Sequence, residues 1–323
     1  MKGSRGQYVI KRLFFACVTV FVIASLNFFL FRLVPGQPIN RLAGPKASIE
    51  DRENLKRQFG LDQGMTGQYV AYLSQLAHGN LGLSYVNSEP VAHRIWMKLG
   101  ISLQLAVPAE IFAMTLGIMS GVLAAARRRT YVDRGATTIA LLFYSFPTQW
   151  FGMMTILIFA AKLGWFPSGG RSNFFAGYTG FAAIWDIGYH AILPAITEGL
   201  IYYGEYTLIV RSAMLESLGE DYILTARAKG LPRGRIIWRH AFRNASLPVV
   251  TMIALSLAYL VAGSILTETV FSWPGIGLDF YDAVFQENWP LMQGILLILI
   301  IAVVFANLAA DLLLFKLDPR ITE

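Results

Sequence analysis

Two groups of residues stand apart for the chemistry they could do. The first is the run Glu216-Ser217-Leu218-Gly219-Glu220-Asp221-Tyr222-Ile223-Leu224-Thr225-Ala226-Arg227-Ala228-Lys229-Gly230-Leu231-Pro232. Glu220 and Asp221 can open a helix, where its dipole favours negative charge, and Arg227 and Lys229 can close it. Gly230 supplies a left-handed position after the last turn. Pro232 suits the first turn of a second helix running through Ile236, Ile237 and Trp238 towards Asn244. Such a unit makes no covalent bond. It offers a small, close-packing surface at Ala226 and Ala228. An ordinary amphipathic loop held by basic residues is the alternative. The second group is a set of carboxylates inside apolar blocks: Glu110, Glu198, Glu205 and Asp311. An ionisable residue at membrane depth is costly and by default a functional candidate. Glu110 and Glu205 are the candidates for lining a path. Glu198 and Asp311 are expected nearer the interfaces, and hydrogen bonding between helices remains open for all four.

No catalytic constellation accompanies them. There is no G-x-x-x-x-G-K-[ST] phosphate loop, so the chain is not expected to hydrolyse ATP. Neither H-E-x-x-H nor G-x-S-x-G occurs. The lone Cys17 has no intramolecular partner, and His78, His93, His190 and His240 are too dispersed for metal-ligand spacing. No catalytic residue, resident cofactor or metal is expected. The net charge of +7 does not point to nucleic acid, because the Lys and Arg gather in short segments between apolar blocks.

Those blocks are the elements that must position both groups. Of 323 residues, 55% are hydrophobic and only 15% charged, with a mean hydropathy of +0.51. An average soluble domain carries about 25% charged residues. The apolar runs predict about six membrane spans, over 9–34, 99–126, 135–163, 191–210, 247–271 and 289–315. Residues 13–31 form an apolar run of about 19 residues behind Lys2, Arg5, Lys11 and Arg12. That is long for the roughly 7–15-residue core of a signal peptide and reads as a retained span. Arg127, Arg128, Arg129 and Arg134 follow span two, Arg227 to Arg243 follow span four, and Lys316 and Arg320 follow span six. Residues 272–288 hold no Lys or Arg. The positive-inside bias therefore predicts both termini in the cytoplasm. Within 35–98, Ser48 reads as a helix N-cap, Leu55 and Phe59 continue an apolar stripe, and Gly60 reads as a C-terminal cap. Tyr69, Tyr72, Leu73 and Leu76 recur at helical spacing, which predicts a small helical external subdomain. Gly117 and Gly121 read as a close-packing pair, and Trp165, Trp185, Trp273 and Trp289 as an interfacial belt.

The run 216–232 resembles the EAA loop of binding-protein-dependent ABC importer permeases. It lacks a literal Glu-Ala-Ala and matches instead the peptide-type variant Asp-Tyr-x-x-Thr-Ala-Arg-Ala-Lys-Gly, with Leu247-Pro248 further on. Nearly the whole chain is similar to the dipeptide/oligopeptide/nickel permeases. The resemblance runs through Arg32-Leu33-Val34-Pro35-Gly36-Gln37-Pro38, Phe59-Gly60-Leu61-Asp62-Gln63, Gly79-Asn80-Leu81-Gly82-Leu83-Ser84, Glu268-Thr269-Val270-Phe271-Ser272-Trp273-Pro274-Gly275-Ile276-Gly277 and Leu317-Asp318-Pro319-Arg320. Departures are Gln37 and Asn80 at aspartate positions, Gly64 where proline is expected, and Gln104 where glutamate is common.

The resemblance implies an all-α integral membrane protein of the type I importer permease fold. Its parts would be a tail and first span at 1–34, an external subdomain at 35–98, a five-helix core at 99–315 with the EAA loop at 211–247, and a cytoplasmic tail at 316–323. It implies an ATPase-coupling loop of Glu220, Asp221, Tyr222, Thr225, Ala226, Arg227, Ala228, Lys229 and Gly230, and an external loop motif of Glu268, Trp273, Pro274 and Gly275. It implies a second homologous permease, two ATP-binding subunits that hold ATP and Mg, and an extracytoplasmic binding protein delivering peptides. Nickel or oligosaccharide as substrate, and a stand-alone secondary transporter, are the alternatives.

Overall fold

The computed structural model describes residues 5–33, 50, 64–260 and 264–317. The expected helix with Ser48 and Gly60 as its caps lies outside the described residues. Among those described, every regular element is helical, apart from a single bridge between Leu83 and Pro90. The elements are α1 (Arg5–Leu33), α2 (Met65–Ala77), α3 (Val91–Ala126), α4 (Tyr131–Ser145), α5 (Thr148–Thr155, continued by a π-helical turn over Ile156–Lys162) and α6 (Phe181–Leu218). There follow α7 (Asp221–Ala228), a short turn at Arg233–Arg235 with a π-helical segment over Ile236–Ala241, α8 (Phe242–Leu260), α9 (Ile265–Val270), α10 (Ile276–Phe285) and α11 (Trp289–Leu317).

By length and composition, Val9–Arg32, Val91–Ala126 and Trp289–Leu312 suffice to cross a membrane, and a bent pair of helices adds a fourth span if counted as one. The expected fourth and fifth spans fall on α6 and α8, with 38 and 19 residues. The lower apolarity of α6 has a physical reason. α6 turns Thr197, Glu198 and Thr207 inward, where they are buried by other helices and not by lipid. Several of the expected boundaries shift: α6 covers 181–218 where 191–210 was expected, and the expected span 247–271 is divided between α8 and α9. α3 begins at Val91, not near residue 99, and its 36 residues at about 1.5 Å each exceed the roughly 30 Å hydrocarbon core. The third span is broken rather than straight. α4 and the helix that follows meet at 102°. Phe146, extended at ψ 131°, precedes Pro147, whose ring disfavours the helical region for the residue before it.

The largest helix contact is between α3 and α6, and small residues make it possible. A Cβ on Gly121 would lie 2.8 Å from the Thr207 carbonyl oxygen, and one on Gly199 would lie 2.8 Å from that of Ala109. One on Gly117 would strike the Tyr206 Cβ. The pair read as a close-packing motif therefore brings backbone against backbone. α1 packs along α11, where Arg12 and Asp311 form a 2.9 Å ion pair. α2 lies on α1, with Tyr69 and Tyr72 each 5.3 Å from the Phe28 ring and the Tyr69 hydroxyl 2.7 Å from that of Ser25.

Gly121→Val forces a side chain into that contact, and overpacking of this kind costs about 1–3 kcal/mol. The melting point of the purified protein is expected to fall by several degrees. Gly135→Ala, with no atom within 4 Å of the new Cβ and a helix interior that favours alanine, serves as the control and should leave it unchanged or slightly raised. Equal melting points for both variants would contradict the packing described.

Candidate functional site

The run 216–232 folds as its residue order requires. Glu220 sits extended at the N-cap, Asp221 occupies the first turn of α7 and Arg227 the last. Gly230 adopts φ +71°, a region open to glycine without steric cost. Around it, Leu231 N–H donates to the Ala226 carbonyl (3.3 Å) and Gly230 N–H to that of Arg227 (2.9 Å). These two bonds satisfy the carbonyls that a helix end leaves open. Leu231 packs into a core cluster built from Val122 and Ala125 of α3, Val210 and Met214 of α6, and Ile223 and Ala226 of α7. Ser217 Oγ lies 2.6 Å from the Tyr222 hydroxyl and donates to the Ala241 carbonyl at 2.8 Å. Arg233 donates to the Ala126 carbonyl, tying the turn to the end of α3.

The two faces of α7 differ from the sequence reading in three respects. Ala226 is 5% exposed and points into the chain's own core, so it is no part of a presented surface. Tyr222 is half-buried by its bond to Ser217. The outward face carries Asp221, Leu224, Thr225, Arg227, Ala228 and Lys229. Leu224, 59% exposed, was missed. Ile223 and Leu224 are adjacent apolar residues, and only the partners packed against α7 decide which faces in. Beside α7 a recess of about 630 Å³ carries Arg128, Arg227 and Arg233.

The four residues expected as a loop motif sit at the other end of α3, and three of them are buried. Glu268 is 0% exposed, and its Oε2 accepts from Gly277 N–H (2.7 Å) and Leu278 N–H (3.2 Å) at the start of α10. Trp273 is likewise 0% exposed and donates through Nε1 to the Ile101 carbonyl at 3.0 Å, so it belongs to no interfacial belt. Lys98 Nζ donates to the Pro274 carbonyl at 3.0 Å, and Ile276 N–H to Ser102 Oγ at 2.8 Å. A Cβ on Gly275 would lie 2.5 Å from Glu268 Oε2. Arg94 grips Asp279 with a 2.7 Å hydrogen bond from Nε and a second from its terminal nitrogen. The motif is a packing knot that fastens the start of α3 to α9 and α10.

Between these ends, α3, α6 and α8 form a half-open cavity of about 650 Å³. The structure brings Glu110 and Glu205 together on its wall, and it adds Glu198. Glu198 is 4% exposed. Its Oε1 accepts from Ser264 Oγ at 3.1 Å. The Tyr206 hydroxyl donates to Glu110 Oε1 and lies 3.1 Å from Ser256 Oγ. The sequence did contain a sign of this wall: Glu198, Tyr202, Glu205 and Ile209 follow at steps of four, three and four, one face of a helix.

Comparison with known proteins gives this geometry a family. The family model described as "Binding-protein-dependent transport system inner membrane component" matches residues 117–323, and its N-terminal companion matches residues 6–106. The dipeptide transport system permease protein DppB of Escherichia coli (strain K12) is 40% identical over 333 residues, covering 98% of each chain. The di/tripeptide transport system permease protein DppB of Pseudomonas aeruginosa (strain UCBPP-PA14) is 38% identical over 330 residues, again covering 98% of each. The oligopeptide transport system permease protein AppB of Bacillus subtilis (strain 168) is 35% identical over 317 residues, covering 98% of this chain and 99% of that one. Among solved structures, an inward-facing form of the MetNI methionine ABC transporter shares the fold, at a TM-score of 0.56 and 19% identity over 69% of this chain and 96% of that one. Family models along most of the sequence and relatives aligned with nearly all of it agree: the chain belongs to the binding-protein-dependent transport system inner membrane components, as a multi-pass membrane permease.

Proposed function

We propose that this permease is one of two homologous membrane subunits of an ATP-binding-cassette importer for peptides. The observation that carries the reading is its near-complete alignment with permeases named for dipeptide, di/tripeptide and oligopeptide transport. The chain is a transport subunit and not an enzyme. ATP and Mg are held by two partner ATPase subunits, and an extracytoplasmic binding protein delivers the peptide.

The geometry supports a division of labour. α7 is the coupling element, docking Asp221, Leu224, Thr225, Ala228 and Lys229 against an ATPase subunit, with Arg227 at the edge of the basic recess. Because its inner face is locked onto the ends of α3 and α6, a displacement of α7 moves those helices and not a loose loop. The cavity at Glu110, Glu198 and Glu205 is the stretch of pathway contributed by this chain. The knot at Glu268, Trp273, Pro274 and Gly275 keeps the opposite end of α3 in register. Both termini lie in the cytoplasm.

The topology is tested with single cysteines after Cys17 is replaced. Cysteines at Arg128 and Lys229 are expected to be protected from impermeant thiol reagents in intact cells, and one at Asn87 to react; all three positions are exposed. The opposite sidedness would refute the orientation.

Coupling is tested with Leu224→Asp on the outward face and Gly230→Val at the turn. The second forces a β-branched side chain to φ +71°, at a cost of about 1–2 kcal/mol or more. Membrane insertion should survive both changes. Peptide-dependent stimulation of ATPase activity should be lost, or the ATPase subunits should fail to co-purify. If both variants assemble, respond to the loaded binding protein and take up peptide like wild type, α7 is not the coupling element.

A further inference from the structure

The helix that leads from the turn at Gly230 into the fifth span has a face that neither the core nor the cavity uses. It starts at Arg233, passes through the π-helical segment Ile236–Ala241 and continues as α8. Ile236, Ala241, Ala245 and Val249 point inward and pack on the ends of α3 and α6. Pro248, Thr251, Met252 and Ser256 wall the cavity. Arg243 precedes Met252 by nine residues, about two and a half turns at 3.6 residues each, so it lies on the side of α8 opposite the cavity. Arg239 stands four residues before Arg243, and both are exposed. Among the described residues neither arginine forms an ion pair with a carboxylate. Like charges at this spacing repel, and an anion shared between them relieves the repulsion.

Beside the arginines runs an aromatic pair. The Trp238 and Phe242 rings meet edge-to-face at 5.4 Å, and Trp238 is 52% exposed. Tryptophan gathers where a bilayer meets water, because its ring is apolar and its N–H polar. The depth agrees. The apolar run of this span opens at Leu247. At about 1.5 Å per residue, Arg243 lies about 6 Å outside that point along the helix and Arg239 about 12 Å. The headgroup layer is about 5–8 Å thick on each side of the hydrocarbon core, and a long arginine stem can lean back into it. Arg235, also exposed, lies about 18 Å out, farther from the headgroups than a Debye length of about 8 Å.

We infer that the face formed by Trp238, Arg239, Phe242 and Arg243 binds the headgroup phosphate of an anionic phospholipid in the cytoplasmic leaflet. The two guanidiniums are planar forks that match the phosphate oxygens, and the two rings offer apolar surface to the glycerol and the first acyl carbons. The lipid is thereby held on the helix whose inner face, at Ile236 and Ala241, shares a core with α7. The inference rests on the cytoplasmic placement of this segment, which cysteine labelling tests separately, and not on peptide as the cargo.

The test incubates the complete membrane complex, in detergent, with equal amounts of phosphatidylglycerol and phosphatidylcholine, and counts the retained lipids by native mass spectrometry. Wild type should retain phosphatidylglycerol in preference. Arg239→Gln and Arg243→Gln should each lower that preference about fivefold, the loss expected for one basic residue at an anionic surface, and the double variant should lose most of it. Arg235→Gln should leave it unchanged. The double variant Arg239→Lys, Arg243→Lys keeps both charges and should keep most of the preference, which separates loss of a site from loss of the fold. If the lysine pair loses as much as the glutamine pair, charge does not hold the lipid and the inference falls. It falls equally if wild type shows no preference, if the preference survives the double glutamine variant, or if Arg235→Gln costs as much as either site change. Release of the ATPase subunits by the double glutamine variant, with its lipid preference intact, would make this face a protein contact and overturn the lipid site.

Discussion

Two helices whose backbones touch hold the rest of this molecule in place. Lipid is as apolar as a leucine side chain, so helices in a membrane gain little from burying apolar surface against each other and depend on close packing. α3 and α6 achieve it by removing side chains where they meet, at Gly117 and Gly121 on one and Gly199 on the other. The functional geometry follows from that contact. Glu110 lies on α3, and Glu198 and Glu205 lie on α6, so the cavity wall exists only at the spacing the glycines set. At the end of the same pair, Val122 and Ala125 meet Val210 and Met214 and form the platform on which α7 rests.

The polarity of the inner helices follows from the same arrangement. A helix face turned to lipid must be apolar, as that of α1 is, with Ile10, Phe14, Phe21 and Leu26 all exposed. A helix surrounded by its neighbours is released from that demand. α6 can then carry Thr197, Glu198 and Thr207 on faces that lipid never meets. Mean hydropathy along a window records the lipid-facing requirement and misses the protein-facing freedom.

That distinction also marks how much was legible in the sequence. The turn at Gly230 was readable because local residue order dictates it: acidic start, basic end, glycine, then proline. The role of Gly117 and Gly121 was readable from their spacing alone. Features that depend on a neighbour were harder to see. Trp273 looked interfacial because it follows an apolar block, but Ile101, distant in the chain, offers its indole a buried acceptor. Ala226 looked like part of a docking surface until Val210 and Met214 were found beneath it. The break at Pro147 had a local cause and could have been read from the proline.

The knot at the start of α3 has a consequence for how the chain is made. Its bonds join Arg94 to Asp279, Ile101 to Trp273 and Ser102 to Ile276, residues separated by 185, 172 and 174 positions. A ribosome adding about 5–20 residues per second takes on the order of ten seconds or more to cover that distance. Throughout that interval α3 is already synthesised while the partners of its N-terminal turns do not yet exist. The Arg94 guanidinium must wait in water or among lipid headgroups, and the bundle cannot close from its N-terminal side. Assembly is therefore gated by the arrival of the α9–α10 segment, and a chain truncated before it would leave Arg94 with Glu89 alone as its acidic partner and the start of α3 unfastened.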